Sequence, residues 1–159
     1  MLWRLKRFEF ERQKAAGNRQ AMRRIVKSNR VPGILGYSQK QAVAWCSVGL
    51  REDFPALERS RILKKIDDEP VWSITCFFIE KAWRKKGLSV ELLKAAVNYV
   101  RKQGGKIVEG YPVEPKKKKT ADVFVWTGLA SAFSKAGFTE CARRSETRPM
   151  MRYYIKRPC

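Results

Sequence analysis

Two hydrophobic periods follow one another in the middle of the chain. Residues 71–79 are dense in β-branched and aromatic side chains (Val71, Trp72, Ile74, Thr75, Phe77, Phe78, Ile79), which predicts a buried strand. Residues 88–100 widen the spacing: Leu88, Leu92, Leu93, Ala96, Val97 and Val100 share one helical face, and Glu91, Lys94, Asn98 and Arg101 the other. Gln103-Gly104-Gly105 ends that helix, and residues 106–111 predict the next strand. Upstream, residues 8–15 and 18–27 read as helices divided at Gly17, with Asn18 as N-cap of the second. Residues 2–5 read as no more than the end of a strand. Residues 34–37 and 41–50 predict a hairpin around Ser38-Gln39-Lys40. Downstream, residues 124–136 predict a helix stopped by Gly137, and residues 140–145 with 150–156 a closing hairpin.

Between the upstream hairpin and the central strand lies a long polar connection, residues 51–70. Connections of this length are usually functional when ordered, and Phe54, Leu57, Ile62 and Leu63 suggest that this one is tied down, with a helical turn within residues 55–64. It also holds most of the acidic side chains of its region, including Asp67-Asp68-Glu69. Those carboxylates read either as surface charge balance or as a recognition surface for a cationic amine.

Composition narrows the class. A chain of 159 residues with 44% hydrophobic residues forms one globular domain, 1–159, with a real core. Charges interrupt residues 1–12 before any apolar leader forms, and no run approaches membrane-spanning length, so the chain reads as cytoplasmic with no membrane partner. Cys46, Cys76, Cys141 and Cys159 have no metal-ligand spacing and there is no histidine, so no metal site is expected. Cys46 and Cys76 read as small core residues. The net charge is +20, unevenly spread: +8 over residues 1–30, −1 over 31–80 and +13 over 81–159. Such a field attracts any polyanion without choosing among them. The run Lys116-Lys117-Lys118-Lys119 reads as a solvated loop or a contact with an acidic partner.

Candidate chemistry sits where the two central periods meet. Between strand and helix lies Arg84-Lys85-Lys86-Gly87-Leu88-Ser89, a cationic turn opening a helix. Free N–H groups at a helix N-terminus and the helix dipole favour an anion there, and glycine lets a phosphate approach the backbone. The turn lacks both the P-loop pattern and G-x-G-x-x-G. It fits R/Q-x-x-G-x-G/A, with Ser89 as the second small residue, and so resembles the acetyl-CoA pyrophosphate loop of the GNAT N-acetyltransferases. Ala132 to Phe138, AFSKAGF, resembles the helix-ending YEKxGF of the same superfamily. The resemblance covers about residues 31–156, and the segments REDFPALERSR, EGYPVEP, TGLASAF and RRSETRPMMRYYI are similar to a bacterial branch of it.

That resemblance implies an α/β (α+β mixed) fold: a central, mostly antiparallel twisted sheet flanked by helices, with a V-shaped splay between its two central strands. The superfamily usually opens with a complete strand, here short or missing, and residues 51–70 become a substrate-side loop. The implied cofactor is acetyl-CoA, with its pantetheine arm along the backbone of Phe77, Phe78 and Ile79 and its pyrophosphate on the amides from Lys85 to Ser89. Arg84 or Lys86 adds charge, and a backbone N–H near Phe78 or Ile79 stabilises the oxyanion when an amine attacks the thioester.

The sequence departs from these relatives at its catalytic positions. Phe133 stands where many carry a tyrosine acid, Trp126 where an asparagine contacts the cofactor, and Ser73 where some carry a glutamate base. Thr127 and Ser131 are the nearest polar substitutes for the asparagine. Without histidine, the base is a carboxylate, a tyrosine or water. Glu109, on the strand bordering the splay, is the favoured base, and Tyr111, two residues on along the same face, the alternative acid; Glu80 is expected at the surface. Two function classes follow: an N-acetyltransferase acting on a primary amine, or a non-catalytic module of the same fold that binds nucleic acid or an acidic protein. Dimerisation is left open.

Overall fold

A computed structural model describes residues 1–116 and 125–155. Lys117 to Lys119, Phe124, Lys156 and Cys159, which belong to the expectations above, lie outside these residues. The chain begins in a turn and enters helix α1 (Arg7–Lys27) with no strand before it among the described residues. Strands β1 (Gly33–Ser38) and β2 (Gln41–Leu50) then form the expected hairpin. Its turn is tight, with Gln39 at φ 53. The connection that follows contains a short helix, α2 (Pro55–Glu58), and leads into β3 (Trp72–Ile79), α3 (Leu88–Lys102), β4 (Ile107–Gly110), α4 (Ala130–Lys135), β5 (Thr139–Arg143) and β6 (Pro149–Tyr154).

One six-stranded sheet results, in the order β1-β2-β3-β4-β6-β5. Every neighbouring pair is antiparallel except β3 and β4. That parallel pairing is short. It joins Trp72 to Val108, Ser73 to Glu109 and Ile74 to Gly110, and there it ends, although β3 continues to Ile79. The two central strands therefore part beyond Ile74, and the splay lies between them.

Two apolar clusters hold the sheet, one on each face. Helices α3 and α4 cover the first, where Cys46, Val48, Ile74, Leu93, Val100, Val108 and Phe133 are all fully buried. The connection 51–70 covers the second: Phe54, Leu57 and Leu63 pack with Tyr111 and Met150. Burying a large apolar side chain contributes about 1.5–3 kcal/mol, so three such anchors explain why this long polar segment is ordered. Adjacent residues of β6 divide between the clusters, Met151 in the first and Met150 in the second, as strand alternation requires.

Two helices differ from the sequence reading. The break in α1 falls at Lys14 (φ 48, ψ −156) rather than at Gly17. The Asn18 amide nitrogen donates to the Phe10 carbonyl at 3.2 Å instead of capping a new helix; with Lys14 out of helical geometry, that carbonyl needs another donor. Gly17 serves the close approach, since a Cβ there would lie 2.7 Å from Gln13 Cβ. The second difference is α4, which begins at Ala130. Residues 125–128 are held outside it by tertiary hydrogen bonds: Phe77 N–H donates to Trp126 C=O at 2.7 Å, and Val113 N–H to Gly128 C=O at 2.8 Å.

Candidate functional site at the sheet splay

The cationic turn opens α3 as an anion site would. Gly87 is the N-cap at φ 82, a left-handed conformation that favours glycine, and no side chain caps the helix. Its carbonyl accepts from Val90 at 2.9 Å and Glu91 at 3.3 Å, leaving the Leu88 and Ser89 amides beyond the helical ladder. A Cβ on Gly87 would meet nothing within 4 Å among the described residues, so the space beside Gly87 is open. Lys85, at φ 60, continues the left-handed turn. Lys86 Nζ rests 5.0 Å from the centre of the Trp83 ring, and among the described residues no carboxylate pairs with Lys85 or Lys86. Arg84 is aimed inward, its Nε donating to Ile79 C=O at 2.9 Å.

That last bond links the turn to the edge of β3 that faces the splay. Phe77 N–H points into the splay, whereas Glu80 N–H points the other way, to Val43 C=O on β2. By alternation Ile79 shares the direction of Phe77, and Phe78 faces β2, where it lies opposite Trp45. Of the three residues expected to meet a pantetheine arm, Phe77 and Ile79 thus present their backbone to the splay and Phe78 does not. The Phe78 side chain is 59% exposed.

At the base of the splay a buried ionic network crosses four segments. Glu109 is fully buried, and its two oxygens accept from Arg51 Nη1 at 2.8 Å, Arg152 Nε at 2.7 Å and the Tyr111 hydroxyl at 2.8 Å. Arg51 also donates to Tyr111 Oη, to Leu63 C=O and to Glu58, each at 2.7 Å. Arg152 extends the network to Asp67 at 2.6 and 3.0 Å, and that bond holds the Asp67 carboxyl below its ordinary range. Ser73 Oγ lies 2.8 Å from Tyr111 Oη. Burial first, and then the Glu109 charge, push the Tyr111 phenol well above its usual value.

The predicted residues therefore fall into two groups. Arg84 to Ser89 and the edge of Phe77 and Ile79 meet at the open end of the splay, while Glu109 and Tyr111 sit together at its closed base. Phe133 is buried against Phe77, with ring centres 6.0 Å apart and nearly perpendicular. Thr127 Oγ1 accepts from Arg148 Nη1 at 3.0 Å. Sequence reasoning missed Arg51, Arg152 and Arg148, three of many arginines in a basic chain. Of the acidic side chains of residues 51–70, Asp53, Glu58, Asp67 and Asp68 pair with Arg4 and Arg30, Arg51, Arg152 and Lys65 respectively. Charge balance accounts for these four.

The acetyltransferase (GNAT) family model matches residues 2–119. Solved structures share the architecture at low identity. An N-acetyltransferase from Staphylococcus aureus Mu50 aligns with a TM-score of 0.59 and 10% identity over 90% of this chain and 79% of its own. The Salmonella typhimurium protein yncA, solved with its cofactor acetyl-CoA, aligns with a TM-score of 0.58 and 14% identity over 95% and 80%. A ribosomal-protein-alanine N-acetyltransferase from Brucella melitensis aligns with a TM-score of 0.54 and 12% identity over 87% and 76%. No curated protein matches the chain.

Proposed function

The chain belongs to the acetyltransferase (GNAT) family, and from that premise we propose that it is an N-acetyltransferase that moves the acetyl group of acetyl-CoA directly onto a primary amine. The observation carrying this reading is the entrance to α3, where uncapped amides, left-handed Gly87 and open space above it lie beside the splay-facing edge of β3. These residues fit acetyl-CoA. The Leu88 and Ser89 amides suit its pyrophosphate, with Lys85, Lys86 and Arg84 adding charge. The Phe77 carbonyl and the Ile79 N–H suit its pantetheine arm, the Phe77 N–H being taken by Trp126 C=O. When bound, acetyl-CoA supplies an activated thioester.

The chain's own residues have three tasks. Ile79 N–H, facing the splay, is the donor for the developing oxyanion. Tyr111, kept protonated by burial, is the proton donor for the departing thiolate once its hydroxyl turns from Glu109, to which it donates at 2.8 Å, toward the splay, and it is then reprotonated from water. The proton lost by the attacking amine passes to water, because Glu109 already accepts from Arg51, Arg152 and Tyr111. We assign Glu109 to positioning Tyr111 rather than to proton abstraction.

The test is thiol release from acetyl-CoA across a panel of primary amines. Tyr111→Phe should lower turnover by about 10²-fold and leave acetyl-CoA affinity alone; undiminished turnover would remove Tyr111 from the mechanism. Two observations favour the second reading, a binding module without efficient chemistry: Phe133 replaces the expected acid, and Trp126 C=O takes the Phe77 N–H. Tight acetyl-CoA binding with no thiol release from any amine would support that module.

A further inference from the structure

Three arginines that the fold withdraws from solvent on the side of the sheet covered by residues 51–70 are matched to carboxylates. Arg4 meets Asp53, Arg51 meets Glu58 and Glu109, and Arg152 meets Asp67 and Glu109. Arg148 is half-buried, and its hydrogen-bond partner is a neutral hydroxyl, Thr127 Oγ1 at 3.0 Å. Among the described residues no carboxylate reaches it. Burial alone lowers its pKa, with no neighbouring charge acting against that shift. A guanidinium has five N–H donors in a fixed fork, and withdrawing such a charge from water is costly unless an anion meets it.

The surroundings of Arg148 are those of the splay. Thr147 C=O accepts from Glu114 N–H at 2.9 Å, Gly128 C=O from Val113 N–H, and Trp126 C=O from Phe77 N–H. Four segments thus converge here: the end of β3, residues 113–114, residues 126–128, and the turn between β5 and β6. The guanidinium is tied to Thr127, the residue next to the one whose carbonyl meets β3 inside the splay. Arg148 also lies two residues before Met150 and four before Arg152. Strand alternation puts Met150 and Arg152 on the face away from α3, and Arg148 directly precedes their strand, whereas the pyrophosphate loop leads into α3 itself.

We propose that Arg148 is a specificity residue of the acceptor site, and that the accepted amine carries an acid group, a carboxylate or a phosphate, that pairs with its guanidinium. This inference rests on the acetyltransferase reading and narrows its substrate class. Arg148 offers a bidentate fork to the acid group, Thr127 Oγ1 holds the fork in place, and the amine end of the same molecule turns to the thioester.

The experiment compares acid-bearing amines with their amide counterparts in the thiol-release assay, alongside calorimetric titration of acetyl-CoA. The wild type should favour the acid-bearing amine by about 10- to 100-fold in kcat/KM, the usual worth of a charge-assisted hydrogen bond. Arg148→Gln should bring that ratio close to one by raising the acceptor KM, with the acetyl-CoA Kd unchanged. Thr127→Val should cause a smaller loss of the same kind and covers a failure of the first variant to fold. A ratio that survives in Arg148→Gln overturns the proposal, and so does a rise in the acetyl-CoA Kd, which would assign Arg148 to the cofactor. Comparing carboxylate-bearing with phosphate-bearing amines identifies the acid. If the wild type acetylates no amine, the acetyltransferase reading fails. The anion site is then decided by phenylglyoxal labelling mapped to peptides: protection of Arg148 by the acid-bearing amine upholds it, and labelling without protection overturns it.

Discussion

The base of the splay and the entrance to α3 both concentrate positive charge, and they handle it in opposite ways. At the base, Arg51 and Arg152 close on Glu109 at 2.8 and 2.7 Å, and Asp67, Glu58 and Tyr111 complete the set. The protein supplies the counter-charge, and Arg51, Glu109, Tyr111 and Arg152 are shielded from solvent, with Glu58 and Asp67 at the exposed rim. At the entrance, Lys85 and Lys86 are exposed and the α3 amides are uncapped. There no described carboxylate supplies the counter-charge, and under the proposed function the phosphates of acetyl-CoA would. The difference teaches where to look for binding in a chain with a net charge of +20. Cationic residues are abundant, and the informative ones are those that the fold arranges without pairing.

The largest expected effect lies at the base. Removing one partner of a buried ionic cluster leaves an uncompensated charge and typically costs about 3–5 kcal/mol. Glu109→Ala should therefore lower the urea midpoint strongly, and Glu109→Gln less, since the amide oxygen still accepts one bond. A stable Glu109→Ala would mean that the network is not structural, and would erase the contrast between the two regions.

The next effect belongs to the entrance. Gly87→Glu should reduce acetyl-CoA affinity by at least about tenfold, close to 1.4 kcal/mol, by putting a carboxylate beside the phosphates. Gly87→Ala isolates the backbone contribution, because its Cβ meets nothing and only the φ of 82 is unfavourable. Equal losses in the two variants would mean that geometry alone, and not charge, governs the site.

Smaller effects sharpen the boundary between the regions. The Asp67 carboxyl is depressed by its hydrogen bonds to Arg152. A depressed carboxyl contributes stability that is fully present above its unfolded pKa, about 3.9, and is lost as pH falls through the lower folded value. Asp67→Asn should thus lower Tm at pH 7 and much less at the acid end of that window. A loss independent of pH would assign the effect to packing. Smallest of all, burial pushes the Cys141 thiol up to about 11, so its alkylation at pH 8 should be far slower than that of an exposed cysteine; fast labelling would show that the β5 edge opens readily.

How much of this was legible beforehand follows the range of the interactions. The central strand, α3 and the hairpin of β1 and β2 rest on local periodicity and turn chemistry, so their positions could be read directly. The glycine of the cationic turn was equally visible, because a left-handed N-cap is a property of a few adjacent residues. The ionic network was not, since Arg51, Glu109 and Arg152 are separated by 58 and 43 residues, and nothing local marks them as partners. Glu109 was found from its strand and its place beside the splay, but its surroundings depend on β6 and the connection 51–70. Residues 125–128 read as helical because their bonds to Phe77 and Val113 are tertiary. For Arg148 the only local cue is its position just before the proline that opens β6.

The most direct test of the central claim is a calorimetric titration with acetyl-CoA at about 0.15 M salt, where the Debye length is near 8 Å and surface charge is largely screened. ADP and a short polyphosphate serve as charge-matched controls. The account predicts micromolar binding of acetyl-CoA that clearly exceeds both controls and persists as salt rises. Equal binding of all three ligands, fading together with salt, would contradict it and trace the affinity to the basic field alone.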